Sequence, residues 1–452
     1  MATVGRQIAQ WVNNLTYDRL DEQTVHEVKR RLIDSIACAL GAYYSPPGCV
    51  TRAMALALND TRAGIVLGTK HSTSPERAAF ANGTLFRYLD YNDTYLSREP
   101  AHPSDNLSAA VAVAQAAGRT GRDLILAAVI GYEIQCRLCD AASLRAHGWD
   151  HVFYGALSTA ALAGKLWGLD EDQIEHALGL AGVCNIATRQ TRTGQMSMWK
   201  ACAFANAARN GVFAADLARR GLTGPYEIFE GPKGIFNQLT GPFELNLGAT
   251  GDFMINKTYI KFWPAEYHSQ SAIEAILALR PEIADRTVEA IDIKSFEAAV
   301  SIIGSEPEKW RPTSRETADH SMAYCVAVAL LDGDLTLASF DDHRLTDNAI
   351  LNLMDKTTIT EDPELNKGYP KGIPNHLFLK LGDRTTIEKR VDYPRGHNLN
   401  PMTDDEVAAK FRRLADDVVT DKTADAILES IWSLDKTDDV ANLMSFEVLK
   451  KR

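Results

Sequence analysis

The chain has 452 residues, 45% of them hydrophobic, with 48 basic against 59 acidic side chains and a net charge of −11. That composition supports a large packed core in roughly two or three domains, or one domain with an insertion, and excludes a disordered chain. The acidic balance argues against nucleic acid and anionic membrane as partners, because both need a dense basic face, but it leaves room for a small anionic substrate held by a few buried cations.

The opening Met1-Ala-Thr-Val-Gly-Arg6 carries no signal-peptide pattern. No apolar run approaches the ~18 residues of a membrane span. A cytoplasmic protein is expected. Seven cysteines, an odd number, sit mostly among apolar neighbours, as Cys38 and Cys325 do, and read as reduced core thiols. Cys136-Arg-Leu-Cys139 has no second pair and lies in a helical pattern, so no zinc or redox role is assigned to it.

From the start to about residue 260 the pattern is helical. Val25, Val28, Leu32, Ile33, Ile36 and Leu40 recur at helical spacing, and Gly41 with Pro46-Pro47 stops the run. Asp105 or Ser104 is placed to cap the next helix, from Leu107 to Gly118. Another helix follows from Asp123 to Leu144. Asp170-Glu-Asp-Gln173 has capping-box spacing, and Lys200 to Arg220 is a further helix ended by Gly221. Alanine and glycine are frequent throughout, which lets helix axes approach closely in a tight bundle. After about residue 285 the texture changes. Val288–Phe296 alternates like a strand, and His376–Leu381 with Thr385–Val391 flank Gly382-Asp383 as a hairpin. Thr403-Asp-Asp-Glu406 is another capping box, and helix resumes from there to the end. Helix, then mixed structure, then helix suggests a small α+β domain inserted into a helical one.

Four segments carry polar residues that packing does not explain. The run from Arg87 to Asn106 threads Asp90, Thr94 and His102 among tyrosines, with apolar helical patterns on both sides. A solvent loop has no need of those tyrosines, whereas acid/base chemistry needs carboxylate, hydroxyl and imidazole held together on a partly buried segment. In the second segment, Gly148 and Gly155 lie around His147, Asp150 and His151. The third, Thr191–Lys200, delivers a lysine to the start of a helix, where the dipole prefers anions; a bound anion would explain it. The fourth, Ile260–Gln270, places Lys261, Glu266 and His268 beside a Trp-Pro pair. Taken alone, each has a plainer reading: a surface acidic loop, a core histidine, a snorkelling lysine. No dinucleotide, Walker, zinc-protease or nucleophile-elbow motif competes. The residues favour an acid/base enzyme without cofactor or metal, acting on a carboxylate-bearing substrate.

These segments resemble the MmgE/PrpD family, end to end. The resemblance is carried by Asp34-Ser-Ile-Ala-Cys-Ala-Leu-Gly41, by Ala81-Asn-Gly-Thr leading into the Asp90 run, and by His102-Pro-Ser-Asp-Asn106. It continues through Gly148-Trp-Asp-His-Val152, Trp199-Lys-Ala-Cys-Ala203, Phe262-Trp-Pro-Ala-Glu-Tyr-His-Ser-Gln270, Ala318-Asp-His-Ser-Met-Ala-Tyr324 and Gly396-His-Asn-Leu-Asn-Pro-Met402. The family includes 2-methylcitrate dehydratase, cis-aconitate decarboxylase and iminodisuccinate epimerase, and the segments look most like the first branch.

The resemblance implies a mainly α protein: a large helical domain from both chain ends (1–262 and 400–452), a smaller α+β lid (263–399), and a homodimer. It implies a pocket of Asp90, His102, His151, Lys200 and Lys261, with Thr94 and Tyr324, and Glu266 and His268 near the substrate. The implied reaction is dehydration of a small tricarboxylate, 2-methylcitrate, to 2-methyl-aconitate in propionate breakdown. Decarboxylation and epimerisation share the first carbanion and are the alternatives in the same pocket. A catalytically dead binding dimer is the alternative of another class. Where the decarboxylases carry a histidine after Lys-x-Phe-Pro-Ala, this chain has Glu266, a departure that argues against decarboxylation.

Overall fold

The computed structural model describes residues 2–61, 64–193 and 196–450. The chain is mainly helical and divides into two compact units, Met1–Thr258 with Thr403–Arg452, and Tyr259–Met402. Among the described residues no helix is long and apolar enough to cross a membrane.

The first unit contains helices α1 (Val4–Asn14), α2 (Glu22–Gly41), α3 (Pro46–Leu56), α4 (Pro75–Tyr88), α5 (Asn106–Ala116), α6 (Gly121–Ala141), α7 (Val152–Trp167), α8 (Glu171–Val183) and α9 (Trp199–Arg219). A two-stranded ribbon, β1 (Gly64–Ile65) with β2 (Ser72–Thr73), precedes α4. Local chemistry sets most of the helix starts. Asp21 accepts from the Thr24 amide at α2, and capping boxes Thr120/Asp123 and Asp170/Gln173 open α6 and α8. Pro46 and Pro47, expected only to stop α2, instead form the first turn of α3, where a missing N–H costs nothing.

α5 and α7 are buried on nearly every face, the pattern of central helices. Small residues let α7 and α9 approach closely. A Cβ on Gly155 would meet the Phe204 ring at 2.4 Å, and one on Gly211 would meet Thr159 Oγ1 at 2.0 Å. Thr403 and Glu406 form the expected capping box for the returning helix Asp404–Ala415. That helix is tied down by Lys410, whose ammonium lies 2.6 Å from Asp34 of α2 and donates to the Tyr91 carbonyl at 2.7 Å. A second helix, Asp421–Trp432, follows, and beyond a single turn at Leu434–Lys436 the described chain is not helical, contrary to expectation.

The second unit is built on a four-stranded sheet of β3 (Val288–Ser295), β4 (Thr357–Glu361), β5 (Asn375–Leu381) and β6 (Thr386–Val391), in the order β4-β3-β5-β6. β3 and β4 run parallel, and the other pairs are antiparallel. Helix α10 (Gln270–Ile283) packs on β5 and β6 and against the helix Met322–Asp332. Along β5 the alternation buries Asn375, Leu377, Leu379 and Leu381. The expected hairpin is present between β5 and β6, with Arg384 in the left-handed region of its turn at φ 69°.

Candidate active site

The polar run after α4 is not a surface loop: Asp90, Asn92, Asp93, Thr94, Glu99 and Asp105 are all buried. Two of its acids are structural. Glu99 accepts from Ser143 Oγ and from the amides of Leu144 and Arg145. Asp93 accepts from Tyr132 at 2.7 Å and from the Ser104 amide at 2.9 Å. Thr94 donates to the Ala101 carbonyl at 3.1 Å, and an antiparallel bridge pairs Tyr95 with Ala101. The segment is thus a rigid, internally bonded mount.

Asp90 is the centre of what it holds. Its backbone is in the left-handed region at φ 51°, which is costly for a non-glycine residue and is tolerated where the surroundings enforce it. Arg87, in the last turn of α4, donates to Asp90 Oδ1 at 2.6 Å, and Lys200 Nζ lies 3.3 Å from Oδ2. The expected lysine at the start of α9 therefore faces a carboxylate of the protein itself. Gly194 and Gln195 of the segment that delivers it lie outside the described residues.

His102 is 4.0 Å from Asp90 Oδ1. Its Nε2 accepts from Arg87 Nη2 at 2.9 Å, and its Nδ1–H donates to the Asp93 carbonyl at 2.8 Å. The His151 ring lies edge-on to it, with centroids 5.8 Å apart. Arg192 donates to Asp150 Oδ2 at 2.7 Å and to His151 Nε2 at 3.0 Å. Burial would raise the Asp150 carboxyl, but the Arg192 guanidinium holds it below the ordinary carboxylate range. Burial lowers His151 to about 3, with help from Arg192, Arg87 and Arg189. Asp90, His102, His151 and Lys200 thus come together around two arginine–carboxylate–imidazole groups. His147, the other histidine of its segment, is exposed and takes no part.

Sequence reasoning missed Arg87 and Arg192, which look like ordinary helix-end and loop arginines. Asp105 stands at the expected N-cap position of α5, but its side chain makes no capping bond: Asn92 donates to Ser104 Oγ at 2.9 Å and to Asp105 Oδ1 at 2.8 Å, drawing both into the buried network. Burial, reinforced by the charge of Asp93 and opposed by Arg87, pushes Asp105 up to about 7.

The second unit carries the remaining predicted residues. Lys261 is buried. Gln270 clamps the Trp-Pro segment after it, accepting from the Trp263 amide and donating to the Trp263 and Ala265 carbonyls. His268 Nδ1 meets Glu266 Oε1 at 2.7 Å, and its Nε2 is buried with no hydrogen-bond partner among the described residues. Burial opposes ionisation of Glu266, yet the charges of His268, His320 and Lys261 hold it at about 2. His320 pairs with Asp319, whose carbonyl accepts from the Glu266 amide. Asp319 and His320 thus join this group, which the sequence reading did not anticipate. Tyr324 is buried and donates to the Ser339 carbonyl at 2.7 Å, a bond that anchors its own helix.

The group around Asp90 in the first unit offers imidazoles for proton transfer, carboxylates to orient them, and cations suited to carboxylate substrates. Comparison with known proteins agrees in kind. Residues 6–248 match the MmgE/PrpD N-terminal domain and residues 263–436 the MmgE/PrpD C-terminal domain. A 2-methylcitrate dehydratase of Cupriavidus necator is 32% identical, the alignment covering 84% of this chain and 85% of that one. The cis-aconitate decarboxylase-like protein oryM of Aspergillus oryzae is 29% identical over 98% of this chain and 96% of its own length. The alkylcitrate dehydratase phiI of a fungus (Fungal sp. strain ATCC 74256) is 31% identical over 90% and 86%. Matched over both of its domains and over most of its length by such relatives, this chain belongs to the MmgE/PrpD family.

Proposed function

We propose that the protein is a cofactor-independent hydro-lyase of the cytoplasm, working as a homodimer, that dehydrates 2-methylcitrate to 2-methyl-aconitate in propionate breakdown. The observation that carries this reading is the buried Asp90 carboxylate held by Arg87 and Lys200 beside the His102 and His151 rings. Dehydration next to a carboxylate needs a base for the C–H proton, cations for the aci-carboxylate that forms, and a proton so that the hydroxyl departs as water. We assign the proton traffic to the imidazoles, the carboxylates of the substrate to Lys200 and Lys261, and the orientation of His102 to Asp90. Thr94, Glu266, His268 and Tyr324 support the substrate pocket in this scheme.

Product analysis by proton NMR after incubation with 2-methylcitrate tests the reading. Formation of 2-methyl-aconitate supports it; unchanged substrate refutes it. The oryM relative motivates a second reading, decarboxylation of cis-aconitate through a similar carbanion. Release of CO₂ from cis-aconitate, without dehydration of 2-methylcitrate, would establish that instead. The phiI relative motivates trying alkylcitrates of greater chain length in the same assay.

A further inference from the structure

Two arginine–histidine contacts in the helical unit share a chemistry and differ in consequence. Arg87 Nη2 lies 2.9 Å from His102 Nε2, and Arg192 Nη2 lies 3.0 Å from His151 Nε2. A guanidinium has only donors, so in each pair Nε2 accepts and the proton of a neutral ring sits on Nδ1. His102 gives that proton to the Asp93 carbonyl at 2.8 Å. His151 has no such outlet: its Nδ1 is buried without a hydrogen-bond partner among the described residues. A buried N–H lacking an acceptor is rare in folded proteins and calls for a functional reason.

The groups facing His151 are mostly cationic. Arg189 and Arg192 come from the turn after α8, Arg87 from the last turn of α4, and the His102 ring from the polar run. Asp150, 3.5 Å from Nε2, is the opposing charge, and Arg192 Nε already binds it at 2.7 Å. Burial and these guanidiniums together keep the ring uncharged at neutral pH.

We propose that Arg192 is a positioning residue that fixes His151 as its neutral Nδ1–H tautomer, so that His151 meets the substrate as a hydrogen-bond donor to the oxygen that gains charge. The inference rests on the dehydratase reading and narrows it. Proton transfer then falls to His102: once Arg87 turns from Nε2 to a substrate carboxylate, Nε2 takes the C–H proton, the electron pair passes into the adjacent carboxylate and returns to form the C=C bond as the C–O bond breaks, and the hydroxyl leaves as water with the proton His102 returns. A neutral imidazole that polarises oxygen while another group moves the proton is a known division of labour.

Ring-selective ¹⁵N labelling of histidine in the full-length protein tests this without any substrate, with His151→Asn assigning the signal. The expected ring carries its proton on Nδ1 and does not titrate between about pH 5 and pH 8. In Arg192→Gln its titration moves up by about one unit or more, and the tautomer preference is lost. Arg192→Lys keeps a charged donor and stays nearer the parent. A proton on Nε2, a parent ring that titrates in that window, or an Arg192→Gln spectrum matching the parent overturns the proposal. Turnover separates the two readings. A parent protein inert toward 2-methylcitrate defeats the proposed reaction and leaves the spectra to decide the tautomer. An active parent whose kcat/KM is untouched by Arg192→Gln defeats the positioning role.

Discussion

Lys200 Nζ lies 3.3 Å from Asp90 Oδ2, and this pair explains why a lysine occupies the first turn of a helix, where the backbone dipole favours anions. The carboxylate supplies the negative charge that the helix start would otherwise seek in solvent. The same carboxylate sits at φ 51°, so charge and backbone conformation are committed to one position.

Asp90→Asn separates those commitments. Asparagine tolerates the left-handed region, so the fold is expected to persist, but the charge holding Arg87 and Lys200 is gone. We expect kcat/KM to fall by ~10²-fold or more, with a melting temperature close to the parent's. Steady-state kinetics paired with calorimetry checks both. Full activity would show that Asp90 is a structural acid like Glu99.

His102→Ala removes the imidazole nearest Asp90. Proton-transfer groups typically contribute ~10²–10⁴-fold, and a loss of that size in a protein with unchanged circular dichroism is the expected outcome. Near-normal turnover would take His102 out of the mechanism. Lys261→Met, by removing a proposed substrate cation, should raise KM more than it lowers kcat.

Lys410→Met tests how the returning chain end is held. The ammonium pairs with buried Asp34 and also lies 3.7 Å over the Tyr91 ring. Burial pushes the Asp34 carboxyl up even against the pull of Lys410. Removing one partner of a buried pair typically costs ~3–5 kcal/mol, because the other charge is left stranded. Urea unfolding measures it, and a loss under ~1 kcal/mol would mean that Asp34 takes up a proton or water at little cost.

Glu266 gives stability a pH dependence of known sign. Its carboxyl sits at about 2 in the folded protein, against an ordinary value of 4.5. A depressed carboxyl stabilises the fold above its unfolded value and loses that contribution as pH falls through the folded one. The gap in unfolding free energy between parent and Glu266→Gln should therefore be full at pH 6 and shrink as the pH is lowered from about 4.5 toward about 2. A gap that stays constant from pH 6 to pH 3 would contradict the pairing with His268.

Composition and periodicity were enough to read a mainly helical chain with a mixed segment late in its length, because capping boxes such as Asp170/Gln173 and Thr403/Glu406 are local and the structure keeps them. Strand β4 escaped notice: it is short, and its pairing with β3 comes from a parallel neighbour far away in sequence. At the site, Asp90, His102, His151 and Lys200 stood out as polar residues without a packing reason. Arg87 and Arg192 did not, since an arginine at a helix end or in a turn reads as solvated until its distance to a histidine is known. Asp105 holds the N-cap position that an acid before an apolar helix suggests, but its carboxylate is turned from the helix amides because the fold brings Asn92 to it.

The most direct measurement follows the ultraviolet absorbance of a conjugated alkene while the purified protein and its His102→Ala variant are incubated side by side with 2-methylcitrate. A steady rise with the parent protein and a rate lower by ~10²-fold or more with the variant are expected. No absorbance with the parent, or equal rates with the two proteins, would contradict dehydration by way of His102.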